Sequence, residues 1–235
     1  MKDKNQIGSL WLRFSLLLLV FSCGIPARAD NMNCNGQPVA DRPFQPQAGD
    51  LVQPQHLELV RPYTGTGGLE VSVCDADLHI RPDKQAKQLK LQVEMQSRPD
   101  GHDAVDYVHL FDVTPAHGTI HLKFPKSAHA TVTLIVPMEA NSRNEFNLGR
   151  GNLVFDAIGT AGQREINVGM GDMKLLLNGD KDYSGLEVNI GMGSLHDRRP
   201  GGRNGHIVVS RNDSGTGNGP MEVNVGMGSL DITQE

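Results

Sequence analysis

No basic patch runs through this sequence. Its 22 Lys and Arg are outnumbered by 27 Asp and Glu, which removes the electrostatic footprint that nucleic-acid binding requires. After residue 25 no apolar run reaches the roughly 20 residues that a membrane-crossing helix needs. No Gly-x-Ser-x-Gly elbow is present to raise a serine nucleophile. Gly65-Thr-Gly67-Gly68 lacks the Lys-Ser/Thr pair of a phosphate loop, so it reads as a turn. Regular Thr-x-Thr ladders, the mark of an ice-binding face, are missing too. Few stretches carry a helical period.

What is present begins with an export signal. Lys2 and Lys4 open a basic segment, residues 14–25 are uncharged and apolar, and Ala27-Arg28-Ala29 places small residues at −3 and −1 of a cleavage site. This layout predicts a signal peptide over 1–29, cleaved between Ala29 and Asp30. Lipoprotein processing at Cys23, after Val20-Phe21-Ser22, is the alternative. Cleavage removes Lys2, Lys4, Arg13, Arg28 and a single acid, Asp3, leaving 18 basic and 26 acidic residues and a net charge of −8. The implied location is the periplasm or the cell surface. Cys34 and Cys74 remain, and an even count in an oxidising compartment predicts a disulfide between them. Closing that loop stabilises the fold by about 4 kcal/mol on the chain-entropy model.

Residues 30–66 are rich in Pro, Gln and Asn, with Pro38, Pro43, Pro46, Pro54 and Pro62 spread through them. They read as an irregular arm. From residue 67 to 235 the chain alternates. Leu69, Val71 and Val73 do so, as do Leu89, Leu91, Val93 and Met95, and Val132, Leu134 and Val136. Short period-two runs broken by Gly, Asn, Asp and Pro predict β-structure.

An internal repeat carries the most information. Glu-x-Asn-x-Gly-x-Gly begins at Glu145, Glu165, Glu187 and Glu222, with spacings of 20, 22 and 35 residues. A degenerate copy begins at Glu70. Val188, Ile190 and Met192 alternate as an inward column, but the next apolar residue, Leu195, has the opposite parity. A strand cannot change faces without a corner, which the sequence places at Gly193-Ser194. Strand, corner and second strand, stacked on copies of themselves, make an all-β fold: a β-solenoid or β-helix of ~20-residue coils. The insertion over 198–219 reads as a loop with a short strand, His206–Ser210.

Stacking would align Glu145, Glu165, Glu187 and Glu222 into a carboxylate column, and Asn147, Asn167, Asn189 and Asn224 into another. These are the candidate binding residues. Neighbouring carboxylates one rung apart repel by about 1 kcal/mol even in water-like dielectric, so something must offset them. For asparagine, a register-fixing hydrogen-bonded ladder is the alternative use. The glycines would leave a flat strip. Asp180-Lys-Asp182-Tyr-Ser184 matches the start of a calcium loop, but the twelfth position, where an acid belongs, is Gly191. Calcium through that loop or the Glu column is the one cofactor considered. His117 and His121 share a strand face, with His109 nearby, a weak zinc signal.

With those residues in view, the chain resembles the bacterial putative-adhesin β-solenoid family. Leu69–Ile80 is similar to its opening strand, turn and strand, His129–Pro137 to its apolar strand ending in Pro, and the Gly-Met-Gly-Ser/Asp units to its coil corners. The resemblance spans roughly residues 68–232. It implies an envelope or surface location, a solenoid, and no catalytic residues. The strictness of the repeat and the insertion before Met221 depart from the family pattern.

The resulting expectation is an exported, non-enzymatic solenoid that binds an envelope polysaccharide or a surface protein. A β-helix lyase or hydrolase is the first alternative, with Asp75, Asp77 and the Glu column as its only acids. A structural subunit assembling end to end is the second, because uncapped solenoids expose pairing edges.

Overall fold

Short alternating runs, punctuated by turn residues, leave only strands and their connections. The computed structural model describes residues 34, 36, 38–39, 44–83, 85–139 and 142–235. The signal peptide, its Ala29–Asp30 junction and Cys23 lie outside the described residues. No α-helix occurs among the described residues, and no helix there is long and apolar enough to cross a membrane.

The strands are β1 (Leu51–Val52), β2 (His56–Pro62), β3 (Gly68–Cys74), β4 (Ala76–Pro82), β5 (Gln88–Met95), β6 (Val108–Val113), β7 (His117–Lys123) and β8 (Ala130–Val136). There follow β9 (Arg143–Arg150), β10 (Leu153–Asp156), β11 (Gln163–Met170), β12 (Met173–Leu177), β13 (Gly185–Asp197), β14 (Gly205–Ser214) and β15 (Pro220–Gln234). They form one mixed sheet that does not close on itself.

Each repeat contributes a strand, a corner, built on glycine in all but the first copy, and a second strand. These are β3/β4, β9/β10 and β11/β12, and in β13 and β15 the two halves run on as one long strand. The first halves pair in parallel register, so Val71, Phe146, Ile166, Val223 and Val188 form one inward column. The second halves do the same with Leu78, Leu153, Met173, Leu230 and Leu195. Every member of both columns is buried in a single apolar core. Full burial is worth about 1.5–3 kcal/mol per large aliphatic side chain, which pins the register.

The order of the stack departs from the order of the sequence. β15, the last copy, lies between β11 and β13. The insertion explains why. Its strand is longer than the expected His206–Ser210: β14 covers Gly205–Ser214, pairs antiparallel with β13 and occupies that strand's outer side. Only the inner side of β13 then remains open to β15.

Antiparallel strands close both ends of the parallel stack, with β14 at one end and β6 on β7 and β5 on β8 at the other. The free edges of the sheet are then β1, β6 and β14, each paired on one side only among the described residues. β14 turns Arg211 and Asp213 toward buried Asp197 and Arg199, where Arg211 Nη1 reaches Asp197 Oδ2 at 2.6 Å and Arg199 Nη2 reaches Asp213 Oδ2 at 2.9 Å. Inward charges on an edge strand work against pairing with another chain.

Two further expectations are corrected. The Pro-rich arm is not irregular throughout: Pro54 and Pro62 bracket β2, whose Leu57 and Leu59 are fully buried beside β5. Met192, placed inside by its alternation, is 61% exposed, and Met170 and Met227 are also outside. The change of face begins at the first glycine rather than at Gly193-Ser194, because the backbone has already left the interior when it reaches the methionine.

Candidate functional site

The columns of the repeat resolve first. Asn167 Nδ2 donates to Asn147 Oδ1 at 2.9 Å, Asn224 Nδ2 to Asn167 Oδ1 at 2.9 Å, and Asn189 Nδ2 to Asn224 Oδ1 at 3.2 Å. Each amide also donates to the glutamate two residues earlier: Asn147 to Glu145, Asn167 to Glu165, Asn189 to Glu187 and Asn224 to Glu222, at 2.9–3.1 Å. The Asn column is thus a register-fixing ladder in which Asn167, Asn224 and Asn189 each donate twice. The same bonds stabilise one oxygen of each glutamate and offset the repulsion along Glu145, Glu165, Glu222 and Glu187, the order in which they stack.

Both glycine columns are structural as well. A Cβ on Gly169 would stand 2.6 Å from the Gly149 carbonyl oxygen, and one on Gly171, at φ +136, would stand 1.8 Å from that of Gly151. Close approach of neighbouring backbones is what both columns accommodate.

A further ladder runs along the corner, one residue after the second glycine. Asn152 donates to Asp77 Oδ1 from both its backbone N and Nδ2, at 3.0 Å each. Ser229 N donates to Asp172 Oδ1 at 2.8 Å, and Ser194 Oγ to Ser229 Oγ at 3.2 Å. This accounts for the small polar residue of every Gly-x-Gly-Asn/Asp/Ser unit.

The calcium-loop residues do not converge. Asp182 is buried and accepts from Gly159 N through Oδ1 and from Asn178 N through Oδ2, while Asp180 and Ser184 are exposed. The carbonyl of Asp182 also accepts from the fully buried guanidinium of Arg164 at 2.7 Å. Burial pulls the pKa of Arg164 down to about 10 against the opposing charge of Asp182. On β7, His117 and His121 share the outward face, where His117 Nε2 lies 3.2 Å from Thr119 Oγ1 and His121 Nε2 lies 3.5 Å from Glu70 Oε1. Among the described residues, no three His, Cys, Asp or Glu side chains gather as a metal set.

Among the described residues, buried side-chain atoms without a hydrogen bond include Tyr63 Oη, His121 Nε2, Asn144 Oδ1, Arg164 Nε and Thr233 Oγ1, and one, Asp75 Oδ1, lies where the repeat breaks down. In the degenerate copy Cys74, Asp75 and Ala76 replace Gly-x-Gly. Cys74 bonds to Cys34, as its pairing predicted, and the disulfide packs over Gly149 in place of a side chain. Asp75 takes the left-handed turn itself, at φ +49. Its side chain is 5% exposed, and its Oδ1 lies 3.2 Å from Arg150 Nη1 but out of line for a hydrogen bond. Among the described residues no hydrogen bond reaches that oxygen. A groove of about 250 Å³ opens beside it, lined also by Asp77, Lys126, His129, Thr131 and Arg150. His129, at φ +47, is a second non-glycine residue held left-handed on its wall. Strained backbone and a buried oxygen without a hydrogen bond in one place make this groove the candidate site.

Sequence reasoning picked out Asp75 and Asp77 but missed Lys126, His129 and Arg150. Arg150 did carry a signal, because it stands where the other three strict copies have Met.

No protein-family model matches the chain, and no curated protein matches it. Solved structures similar to this chain include two putative adhesion proteins. One is a putative cell adhesion protein from Clostridium sporogenes, at 14% identity over 78% of this chain and 100% of that one, with a TM-score of 0.49. The other is a putative adhesin from Parabacteroides merdae, at 12% identity over 76% of this chain and 81% of that one, with a TM-score of 0.29.

Proposed function

We propose that this chain is an exported, non-enzymatic β-solenoid of the cell envelope or surface, and that it binds a carbohydrate of the envelope in the Asp75 groove. Parallel, in-register stacking of strand–corner–strand units supports the solenoid reading. The signal layout and the Cys34–Cys74 bond support export.

The observation that carries the binding reading is Asp75 Oδ1, which is buried and accepts no hydrogen bond among the described residues, its one partner being the ion pair with half-exposed Arg150. A buried acceptor left without a donor costs about 1–3 kcal/mol, which a ligand hydroxyl would recover. Lys126, His129 and Arg150 supply donors for the acceptors of the same ligand. A sugar, with hydroxyls that both donate and accept, matches such a wall. Binding without hydrolysis fits the state of Asp77, whose Oδ1 already holds the corner through Asn152. A two-carboxylate hydrolase needs both acids free for the glycosidic bond. No cofactor enters this reading.

The test is co-sedimentation of the exported chain with insoluble polysaccharides and envelope fractions, with the supernatant assayed for released sugar. Retention of the wild type, loss of retention in Asp75→Asn and no sugar release are the expected results. Sugar release would make the two aspartates catalytic. Absence of retention on every polysaccharide would remove the carbohydrate reading and leave a surface protein as the partner.

A further inference from the structure

Met170, Met227 and Met192 stand on consecutive rungs of the sheet, Met170 opposite Met227 and Met227 opposite Met192. All three point outward, with exposures of 46%, 46% and 61%. Folding does not demand methionine there. The equivalent corner positions of the other two copies hold Asp75 and Arg150, so the fold accepts either charge. Nor does the core gain from them, since Met95, Met138, Met173 and Met221 are buried and these three are not.

Each exposed methionine is flanked on both sides by glycine, and those glycines are fixed by backbone contacts with the next rung. No side chain of the same strand stands beside the thioethers. Along the ridge their neighbours are one another and, on the far side of Met170, Arg150, whose guanidinium is drawn toward Asp75 Oδ1 at 3.2 Å. Beyond Met192 the ridge meets β14, where Ile207 pairs with Gly193 and is 73% exposed.

The spacing suits a soft cation. Rungs of a sheet lie about 4.8 Å apart. Bonds from sulfur to a soft metal are about 2.3 Å, so two sulfurs on opposite sides of one ion stand about 4.6 Å apart. Adjacent methionines can therefore hold an ion between them with little movement of the side chains, and the third can complete a three-sulfur set. Neutral, soft thioethers favour Cu(I) over the hard ions calcium and magnesium. We infer that Met170, Met227 and Met192 form a thioether site for a soft monovalent cation, Cu(I) or its redox-inert analogue Ag(I). The site is separate from the Asp75 groove and does not depend on it.

The probe is Ag(I), added in chloride-free buffer to the exported chain carrying ¹³C-labelled methionine methyls. The expected result is saturation at one ion per chain, with the methyls of Met170, Met192 and Met227 shifting together. The buried methyls of Met95, Met138, Met173 and Met221 serve as internal controls and stay in place. Met227→Leu removes the central donor and keeps the ridge apolar, so the fold is retained while affinity falls about tenfold or more, at least the cost of losing an outer-sphere partner. Unmoved ridge methyls, a shift that never saturates, or equal affinity in Met227→Leu would each overturn the site. If Met227→Leu leaves binding of an apolar protein intact while the wild type takes no silver, the ridge is a docking surface and the metal assignment fails.

Discussion

At the corner of the copy that begins at Glu165, Gly169 and Gly171 sit against the carbonyls of the neighbouring copy and Met170 points to solvent. At the corner of the copy that begins at Glu70, the same places hold Cys74, Ala76 and Asp75. Alanine resists the positive φ that Gly171 adopts, so the left-handed turn moves one residue back, onto Asp75. That displacement turns a carboxylate inward beside Arg150 instead of leaving it on the surface. One backbone plan thus yields two outcomes. Where the repeat is strict, the asparagines and the polar corner residues are hydrogen-bonded from copy to copy. Where it breaks, an acceptor is left for something else to pair.

The largest effect comes from spoiling the strict corner. Gly171→Ala forces a Cβ to 1.8 Å from the Gly151 oxygen at φ +136. Overpacking and backbone strain together predict a loss of about 4 kcal/mol, read as a lower urea midpoint with unchanged slope. Gly201→Ala, at φ +76 but with no atom within 4 Å, isolates the strain alone and should cost about 1 kcal/mol. Equal losses would show that close stacking of backbones is not what the glycine column provides.

Next in size is the Asn ladder, which tests whether copies support one another. Asn167 donates two hydrogen bonds and accepts one, whereas Asn189, at the end of the ladder, donates two and none from another rung reaches it among the described residues. Asn167→Ala should cost about 2 kcal/mol and Asn189→Ala about 1 kcal/mol. A reversed order would mean that the ladder does not act along the stack.

A smaller effect, confined to acid, belongs to the β14 edge. Burial pushes the Asp197 carboxyl up, but hydrogen bonds from Arg199 and the charges of Arg199 and Arg211 outweigh it, so its pKa lies below the ordinary 3.8. The folded form therefore holds its proton less readily than the unfolded chain. The resulting stabilisation is complete above about pH 4 and is lost as pH falls through the depressed value. Amide exchange in β14 should accelerate below pH 4 before exchange in β11 does, and Asp197→Asn should flatten that dependence. Simultaneous acceleration in both strands would argue against a local edge effect.

How much of this was legible follows from the same contrast. Period-two runs, glycine corners and the Glu-x-Asn spacing were visible because every copy repeats them, and they led to the all-β class and the ladder. The position of β15 between β11 and β13 was not visible, because identical copies carry no information about which neighbour each one chooses. The choice depends on β14, whose exposed Ile207 and Val208 and inward Arg211 and Asp213 blur the alternation of an edge strand. The methionines were placed inside because alternation assumes a straight strand. The groove was half legible: Asp75 and Asp77 stood in a recognisable copy, but Lys126 and His129 come from a distant turn that only folding brings near.

The smallest predicted change in stability tests the site itself. Asp75→Asn keeps the size of the side chain, and asparagine tolerates the left-handed turn at φ +49. The variant gives up an ion pair with Arg150, whose side chain is half exposed, a contact worth about 0–1 kcal/mol. It also removes a buried charge that lacks a full set of partners, which acts in the opposite direction. The two changes nearly cancel, so the melting temperature should move by no more than about 2 °C, while retention on polysaccharide is lost. A strict-copy residue behaves in the reverse way: Asn167→Ala lowers stability and leaves the groove intact. If Asp75→Asn proves as destabilising as Asn167→Ala, Asp75 is a structural member of the stack, and its oxygen without a hydrogen bond is strain that the fold tolerates rather than a place kept for a ligand.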